Sequence, residues 1–284
     1  MQHVDVDADG GPLPALNELI LAQTAVGVGV PVLLRTAAPG PDEVDPFGEE
    51  AYRVQVALAA RLMGSGSLEG LLPDGLVPDG LVAGGLGTHG SAPGVPVPPG
   101  LAARLLEHPL LALNFHGIEK DHREVVRQQL GRAAALGPTF DLDVPHAPGE
   151  VRVLAGFYDG FADTAAFAAE VCHGLGLRAV FFPLTSAEHG ARLMGDAELA
   201  DVATVHEVGW HTANHMGTEE VDEPDVVTEV VEPFRWIERV TGRAPRIGAW
   251  CFGTRFDATR PGDRALAGLG LAHLVSNWSL EPVG

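Results

Sequence analysis

Apolar and polar positions alternate along the chain in a pattern that predicts strands followed by helices from residue 101 onward. Short apolar runs at 110–115, 151–157 and 178–184 are typical of buried strands. Amphipathic segments at 123–136 and 225–241 have the spacing of helices. This alternation predicts parallel β-α-β units, and therefore an α/β fold that is either a barrel or a doubly wound sheet.

The first hundred residues have a different organisation. Residues 1–63 are predicted to be α/β, with helical spacing followed by an apolar, β-branched run at 26–34 and a helix at 49–63. Residues 64–100 contain a tandem Pro-Asp-Gly-Leu-Val repeat at 73–82 and are rich in glycine and proline. Because these residues favour tight turns, we interpret 64–100 as a long loop.

Several polar residues fall at the ends of predicted strands. In parallel α/β folds the functional site forms where the carboxyl ends of the strands lead into their loops. His116, Asp159, His211 and Cys251 all occupy such positions. We therefore expect a site among these residues.

The segment from Gly209 to His215 carries the clearest chemical signal. His211 and His215 would lie on one face if the segment turned helically, so both rings could reach one cation. Asp159, followed by Gly160, offers an oxygen ligand. Two imidazoles and one carboxylate leave coordination positions open, as a catalytic metal requires. The alternative is a plain turn at Asp159 and a buried polar pair of histidines.

Several motifs resemble those of the polysaccharide deacetylases, which form carbohydrate esterase family four and have the NodB-homology fold. The motifs are Gly-Phe-Tyr-Asp-Gly at 156–160, Leu-Arg-Ala-Val-Phe-Phe at 177–182 and Val-Gly-Trp-His-Thr-Ala-Asn-His at 208–215. Residues 114–118 are similar to an element that precedes the catalytic domain in some members. The resemblance covers about residues 105–280 and implies a distorted (β/α) barrel.

The resemblance also implies a reaction and a metal. Asp159, His211 and His215 would bind zinc or a similar divalent ion, and the family's chemistry is hydrolysis of an N-acetyl group. Tyr158 stands where the family has its general-base aspartate. A phenol titrates near ~10, so Tyr158 is expected to be a hydrogen-bond donor unless the metal lowers its pKa. The alternative is a loss of hydrolysis that leaves a binding domain.

Two further residues are candidates for catalysis. Arg246 takes the place of an arginine in a groove-lining Arg-x-Pro-Tyr segment of the family, although the Pro-Tyr is replaced here. His116 is our first choice for a supplementary acid or base, because it ends a strand next to the predicted site. Such a group is needed because the family's last motif, a Leu-x-His strand, would fall beyond Gly284. Weaker candidates, each more simply a surface residue, are Asp163, His189, His206 and Glu207.

The position of the missing Leu-x-His strand suggests a role for the N-terminal segment. Residues 1–63, with a helix, the apolar strand at 26–34 and another helix, could complete the same barrel, with Leu-Leu-Arg at 33–35 in the Leu-x-His place. The alternative is a separate accessory domain joined by 64–100.

Aromatic and sulfur side chains near the predicted site have alternative roles. Trp250, Trp210 and Trp278 are candidates for stacking on a sugar, although tryptophans at strand ends are also common in cores. Cys251 could be a soft ligand or a nucleophile, but a small buried hydrophobic residue is the more frequent role of such a cysteine.

Charge and composition limit the classes of function. The formal net charge of −20 would repel phosphates, which disfavours nucleic acids and anionic membranes and suits a cationic ligand such as an amino sugar. No apolar run is long enough to predict a transmembrane helix. The chain's start does not read as a secretion signal, so a cytoplasmic protein is expected. The two cysteines form no Cys-x-x-Cys pair, so no zinc knuckle is predicted.

The sequence therefore predicts an α/β segment at 1–63, a loop at 64–100 and a deacetylase-like domain at 101–284. The predicted function is metal-dependent hydrolysis of a non-peptide C–N bond. The simplest substrate is an N-acetylated amino sugar or a small acetamido metabolite, whose product is a cationic amine. The alternative is a non-hydrolytic relative that binds a saccharide or uses the metal for another reaction.

Overall fold

The structure, a computed structural model, describes residues 29–38, 46–66, 99–186 and 192–284. Predictions that concern 1–28, 67–98 and His189 lie outside these ranges. The strands within them are β1 Val30–Leu34, β2 Leu110–Phe115, β3 Arg152–Asp159, β4 Val180–Pro183, β5 Glu207–Val208, β6 Ile247–Ala249, β7 His273–Val275 and β8 Leu280–Pro282. The α-helices are α1 Glu49–Ser65, α2 Pro99–Glu107, α3 Arg123–Leu136, α4 Ala162–Gly174, α5 Asp196–Val202, α6 Glu232–Thr241 and α7 Pro261–Leu269.

The strands form two sheets. The larger has the order β1-β2-β3-β4-β5, in which β2 to β5 are parallel and β1 runs antiparallel to β2. The smaller has the order β6-β7-β8, in which β6 and β7 are parallel and β8 is antiparallel. The α/β class and the parallel strands are confirmed. None of the helices in the described ranges is long and apolar enough to cross a membrane.

Single residue pairs connect the two sheets at both edges. Trp210, two residues beyond β5, forms an isolated parallel bridge with Gly248 of β6. Arg35, directly after β1, forms another with Ser279 just before β8. Because each junction is one pair long, the described strands do not make a continuous closed ladder. The distorted barrel therefore stays a prediction.

Successive side chains along the strands of the larger sheet point to opposite faces, and other residues pack on both faces. Leu111 and Leu113 of β2 pack with the helices, whereas Leu110 and Ala112 pack with Tyr158 and with residues of the smaller sheet. Both faces of the parallel strands are buried, and this explains why their sequences are almost continuously apolar.

The helix predicted over 225–241 is formed in two parts. A π-helical turn, Val227–Val231, leads directly into α6. Pro233 lies in the first turn of α6 and has no amide hydrogen to donate to the carbonyl of Glu229, so a regular α-helical bond cannot form there. The side chain of Glu229, within this π-helical turn, is buried. Turns of this kind are frequent at functional sites.

Candidate metal centre

The carboxylate of Asp159 lies at the carboxyl end of β3. Its backbone has a φ of 67°, and Gly160 follows with a φ of 73°. A Cβ at Gly160 would lie 2.9 Å from backbone and side-chain carbons of Pro183, so glycine is needed at this turn. Asp159 is only 7% exposed, and its buried Oδ1 accepts no hydrogen bond. A buried anionic oxygen without a partner is costly, and a bound cation would remove that cost.

The two histidines approach this oxygen from the loop after β5. Asp159 Oδ1 lies 3.8 Å from His211 Nε2 and 3.5 Å from His215 Nε2. The loop that carries them is not helical. The rings meet because the backbone reverses at His215, which has a φ of 60°.

A backbone carbonyl fixes the tautomer of His211. Its Nδ1 lies 2.6 Å from the Ala249 oxygen, and a carbonyl only accepts, so Nδ1 carries the hydrogen. In the neutral ring, Nε2 is then an acceptor, and it faces the carboxylate of Asp159, which is also an acceptor. Two acceptors repel each other unless a proton or a metal ion lies between them. Burial opposes the charged ring, but Cys251 and Asp159 raise the pKa of His211 to about 10. Metal-binding histidines typically donate their other ring hydrogen in this way.

Cys251 brings a thiol to the same centre from the loop after β6. Its Sγ lies 3.5 Å from His211 Nε2 and 3.2 Å from the hydroxyl of Thr212. Burial alone would raise the pKa of the thiol, but His211 and His215 lower it to about 6. The possible ligand atoms of His211, His215 and Cys251 all lie within 4.8 Å of one another.

The spacing of nitrogen and oxygen fits a tetrahedral metal ion. Zinc binds nitrogen and oxygen at about 2.0–2.2 Å, so two such ligands are separated by about 3.4 Å in a tetrahedron. The observed separations of 3.8 and 3.5 Å from Asp159 to the two rings are close to this value. The residues present therefore fit a divalent ion.

Tyr158 lies next to Asp159 but points into the space between the sheets. Its hydroxyl donates a hydrogen bond to Asn114 Oδ1 at 3.2 Å. The ring stacks between His116 and Phe182, with ring centroids 5.2 and 4.8 Å away. Burial and the charge of Asp159 raise the pKa of Tyr158 above its ordinary value. The side chain is therefore a protonated donor and not a base.

His116 follows β2 and lies beside the centre through its stacking on Tyr158. Burial lowers the pKa of His116, and the nearby charge of Asp159 only partly offsets this effect. The imidazole is therefore neutral near neutral pH and can accept a proton.

Two of the tryptophans proposed for sugar stacking must be corrected. Trp210 and Trp250 are fully buried and pack edge to face, with centroids 4.8 Å apart. The indole of Trp210 donates to the Val230 carbonyl at 3.0 Å, and that of Trp250 donates to Asp263 at 2.7 Å. Because neither ring has an open face, these tryptophans belong to the core.

Trp278 and Arg246 have structural partners outside the centre. Trp278 packs against Tyr52 and donates to the Gly48 carbonyl at 3.3 Å. Arg246 directly precedes β6, at the end opposite the loop of Cys251, and its guanidinium binds the Asp143 carboxylate at 2.8 and 2.9 Å. The catalytic role expected for Arg246 is corrected to a surface ion pair.

The weaker candidates have structural partners. The carboxylate of Asp163 binds Arg123, the ring of His206 bonds to backbone groups, and Glu207 binds Arg178. These contacts account for the three residues without a catalytic role.

Sequence reasoning missed two residues that shape the site. Glu229 accepts hydrogen bonds from the amide and the side chain of Asn214 at 3.0 and 2.5 Å, and so fixes the loop between the two histidines. A glutamate in a helical pattern looks like a surface residue, so no local signal marked it. Phe252 is 62% exposed, and its ring lies edge to face with His215 at 5.5 Å.

Backbone strain is concentrated at this centre. Among the residues that the structure describes, the non-glycine residues with positive φ are Asp159, His215 and Phe252. Each belongs to the centre or contacts it. Strained backbone of this kind persists only where surrounding structure enforces it, and it clusters at functional sites.

Comparison with known proteins gives structural similarities only. No family model and no curated protein matches the chain. Similar solved structures include the Streptococcus pyogenes deacetylase PplD, with 16% identity, a TM-score of 0.46 and coverage of 56% of this chain and 80% of that chain. IcaB from Ammonifex degensii has 16% identity, a TM-score of 0.48 and coverage of 58% and 82%. BC0361, a polysaccharide deacetylase from Bacillus cereus, has 16% identity, a TM-score of 0.42 and coverage of 52% of each chain.

Proposed function

We propose that the protein is a metal-dependent amide hydrolase that deacetylates an N-acetylated amino sugar or a small acetamido metabolite. The observation that carries the proposal is the unpartnered Oδ1 of Asp159, which faces Nε2 of His211 and His215 at 3.8 and 3.5 Å. Two imidazoles with one carboxylate form a ligand set of catalytic metal sites, because they leave a position for substrate. Zinc or a similar divalent ion suits these ligands.

The neighbouring residues provide groups for acid-base chemistry. A divalent ion bound here would polarise the amide carbonyl and make a water molecule more acidic. His116, a neutral imidazole beside the centre, is the group we assign to accept a proton from water and return it to the leaving amine. Tyr158 is assigned as a hydrogen-bond donor to the developing negative charge on the carbonyl oxygen, for which it must exchange its bond to Asn114.

Phe252 is the group we assign to hold the substrate, in place of the buried tryptophans. It is the most exposed large apolar side chain in the described ranges, and it borders His215. An aromatic face at the edge of a metal centre suits the apolar face of a sugar ring. The net charge of −20 also favours a cationic amine product.

We also propose that the segment around β1 belongs to the same domain and completes a distorted barrel. All five residues of β1 pair with β2. The buried Gln55 donates to the carbonyls of Leu33 and Trp278 at 2.6 and 2.7 Å, and so connects β1 to the turn before β8. These long-range bonds support one domain over a separate accessory domain.

A second candidate function is metal and saccharide binding without hydrolysis. Tyr158 favours it, because a protonated phenol bonded to Asn114 replaces the expected base aspartate. In that case the metal would orient a ligand and no acetate would be formed.

Acetate release distinguishes the two candidates. Zinc-loaded and chelator-treated protein would be incubated with N-acetylglucosamine, its oligomers and small acetamides, and zinc would be measured by elemental analysis. Acetate that requires both metal and Asp159 supports the hydrolase. One bound metal per chain with no acetate from any substrate supports the binding protein, and no bound metal contradicts both.

Asp159→Asn is the informative variant, with Asp163→Asn as its matched control. The first removes the proposed ligand charge, whereas Asp163 is exposed and paired with Arg123. Because changes even to the groups that support metal ligands cost about 10–100-fold in affinity, we expect Asp159→Asn to weaken zinc binding by more than about 100-fold. Asp163→Asn should bind zinc as the wild type does.

A further inference from the structure

The thiol of Cys251 has polar contacts that a small hydrophobic core residue would not make. It is 2% exposed, and its Sγ faces the same Nε2 of His211 that faces Asp159. The Sγ also lies within 4.8 Å of a ring nitrogen of His215. The thiol and both imidazoles therefore lie close together, and the unpartnered Oδ1 of Asp159 faces the same two imidazoles.

We infer that Cys251 is a fourth protein ligand of the ion held by Asp159, His211 and His215, which makes the centre selective for thiophilic metals such as Zn²⁺ and Co²⁺. Substrate or water would then take a fifth position, because catalytic zinc expands from four to five ligands. The inference rests on the metal site of the proposed function. It adds a soft sulfur donor to a set that otherwise has only nitrogen and oxygen.

The geometry of the thiol supports this assignment. With Zn–S near 2.3 Å and Zn–N near 2.0–2.1 Å, a tetrahedral ion separates sulfur from nitrogen by about 3.6 Å. The observed distance from Cys251 Sγ to His211 Nε2 is 3.5 Å. The nitrogen–sulfur and nitrogen–oxygen separations thus both agree with ligands of a single ion.

The loop after β6 is built to hold the thiol in place. Phe252 and Gly253 both have positive φ, at 65° and 64°. Asn277 donates to the carbonyls of Phe252 and Gly253, each at 2.9 Å, and it packs so closely that a Cβ at Gly253 would lie 2.2 Å from its Oδ1. This arrangement holds a strained turn directly after Cys251.

Thr212 supplies a hydrogen bond that suits a metal-bound thiolate. Its hydroxyl lies 3.2 Å from the Cys251 Sγ and can donate to a negatively charged sulfur. When the thiol binds the ion, its S–H bond breaks, a metal–sulfur bond forms and the proton leaves to solvent. No oxidant or other reactant is needed.

Thiolate ligation predicts which metals bind. Sulfur ligands favour zinc and related soft or borderline ions, whereas carboxylate and water suit magnesium and manganese. A centre with the two histidines and the aspartate alone would discriminate less strongly. We therefore expect the purified protein to retain zinc or cobalt in the presence of excess magnesium.

Cobalt substitution tests the inference by absorption spectroscopy. The wild-type protein loaded with one Co²⁺ should show a thiolate-to-cobalt charge-transfer band in the near ultraviolet, together with the visible bands of the bound ion. Cys251→Ser should lose the charge-transfer band, keep bound cobalt and bind zinc at least about 10-fold more weakly. Cys172→Ser is the control, since Cys172 is buried in α4, and its spectrum should equal that of the wild type.

The outcomes separate this inference from the proposed function. A stoichiometric cobalt complex of the wild type without a charge-transfer band overturns the inference, and this measurement does not depend on the folding of any variant. A band that persists in Cys251→Ser overturns it as well. Metal-dependent acetate release without the band leaves the hydrolase in place and rejects only the sulfur ligand. A protein that binds no cobalt and no zinc contradicts both.

Discussion

The hydroxyl of Tyr158 on β3 donates a hydrogen bond to Oδ1 of Asn114 on the neighbouring β2. The strand register pairs Asn114 with Gly156, which lies two residues before Tyr158 on the same face. A Cβ at Gly156 would lie 3.2 Å from the tyrosine ring, so the glycine provides the space into which the ring folds. The position at which the motif resemblance predicts a base is therefore occupied by a buried, neutral donor.

Tyr158→Phe tests the role of this hydroxyl. If Tyr158 stabilises the developing charge on the substrate oxygen, the variant loses one donor, and kcat should fall by about 10²-fold. The loss of the bond to Asn114 should lower the free energy of unfolding by about 1 kcal/mol. Steady-state kinetics and urea denaturation measure the two effects. Tyr52→Phe, a change at the chain's other tyrosine, is the control for kcat. An unchanged kcat in Tyr158→Phe would show that the phenol of Tyr158 has only a structural role.

Glu229→Gln tests whether the buried carboxylate positions the loop of the metal centre. The variant replaces one acceptor of the two hydrogen bonds from Asn214 with a donor, so the loop between His211 and His215 should lose its fixed geometry. We expect zinc affinity to fall about 10-fold, because groups that hold metal ligands in place typically contribute 10–100-fold. Competition with a chelator of known affinity provides the measurement.

The matched control for this change is Glu238→Gln. Glu238 lies on α6, and its carboxylate pairs with Arg235 at the surface. It should leave zinc affinity unchanged. Equal affinities for Glu229→Gln and the wild type would show that Asn214 does not need the carboxylate.

His206 gives a prediction for the pH dependence of stability. Its Nδ1 accepts a bond from the Ala179 amide at 3.2 Å and its Nε2 lies 3.1 Å from the Ala169 carbonyl, so the folded state holds the neutral ring. Burial lowers the pKa of His206 below its ordinary 6.5, although the Ala169 hydrogen bond opposes the effect. The unfolded chain therefore binds the proton more tightly. The stability from this residue is fully present above about pH 6.5 and is lost as the pH falls toward the folded-state pKa.

His206→Asn should remove part of this dependence. Urea denaturation between about pH 5 and pH 8 should show a free energy of unfolding that decreases less steeply with falling pH in the variant than in the wild type. Identical slopes for the variant and the wild type would contradict a neutral, buried His206.

A protease site introduced between residues 67 and 98 tests the proposed single domain. After cleavage, the two pieces should remain together in size-exclusion chromatography, because β1 pairs with β2 and Gln55 bonds to the Trp278 carbonyl. Gln55→Ala, which removes the side-chain donor to the carbonyls of Leu33 and Trp278, should weaken the complex by about 1–3 kcal/mol. Release of a stable, active C-terminal piece would instead indicate a separate accessory domain.

Local patterns were sufficient for much of the fold. The strands β2, β3 and β4 are apolar runs with both faces buried, and helices separate them, so their order and parallel direction could be predicted. The position of Asp159 at a strand end was readable for the same reason, since Gly160 marks the turn. The π-helical turn before α6 was not predicted, because Pro233 was not read as a break in the helix.

The sequence by itself determined the α/β class and the strand ends near Asp159 and His211. Short-range hydrophobic periodicity and turn residues are sufficient to predict these features. Only the tertiary structure decided that Trp210 and Trp250 are core residues, that Arg246 lies away from the centre and that Cys251 faces His211. These outcomes depend on contacts between residues far apart in the chain. The distance between two such side chains is set by how sheets and helices pack, and it leaves no trace in the local pattern of either segment.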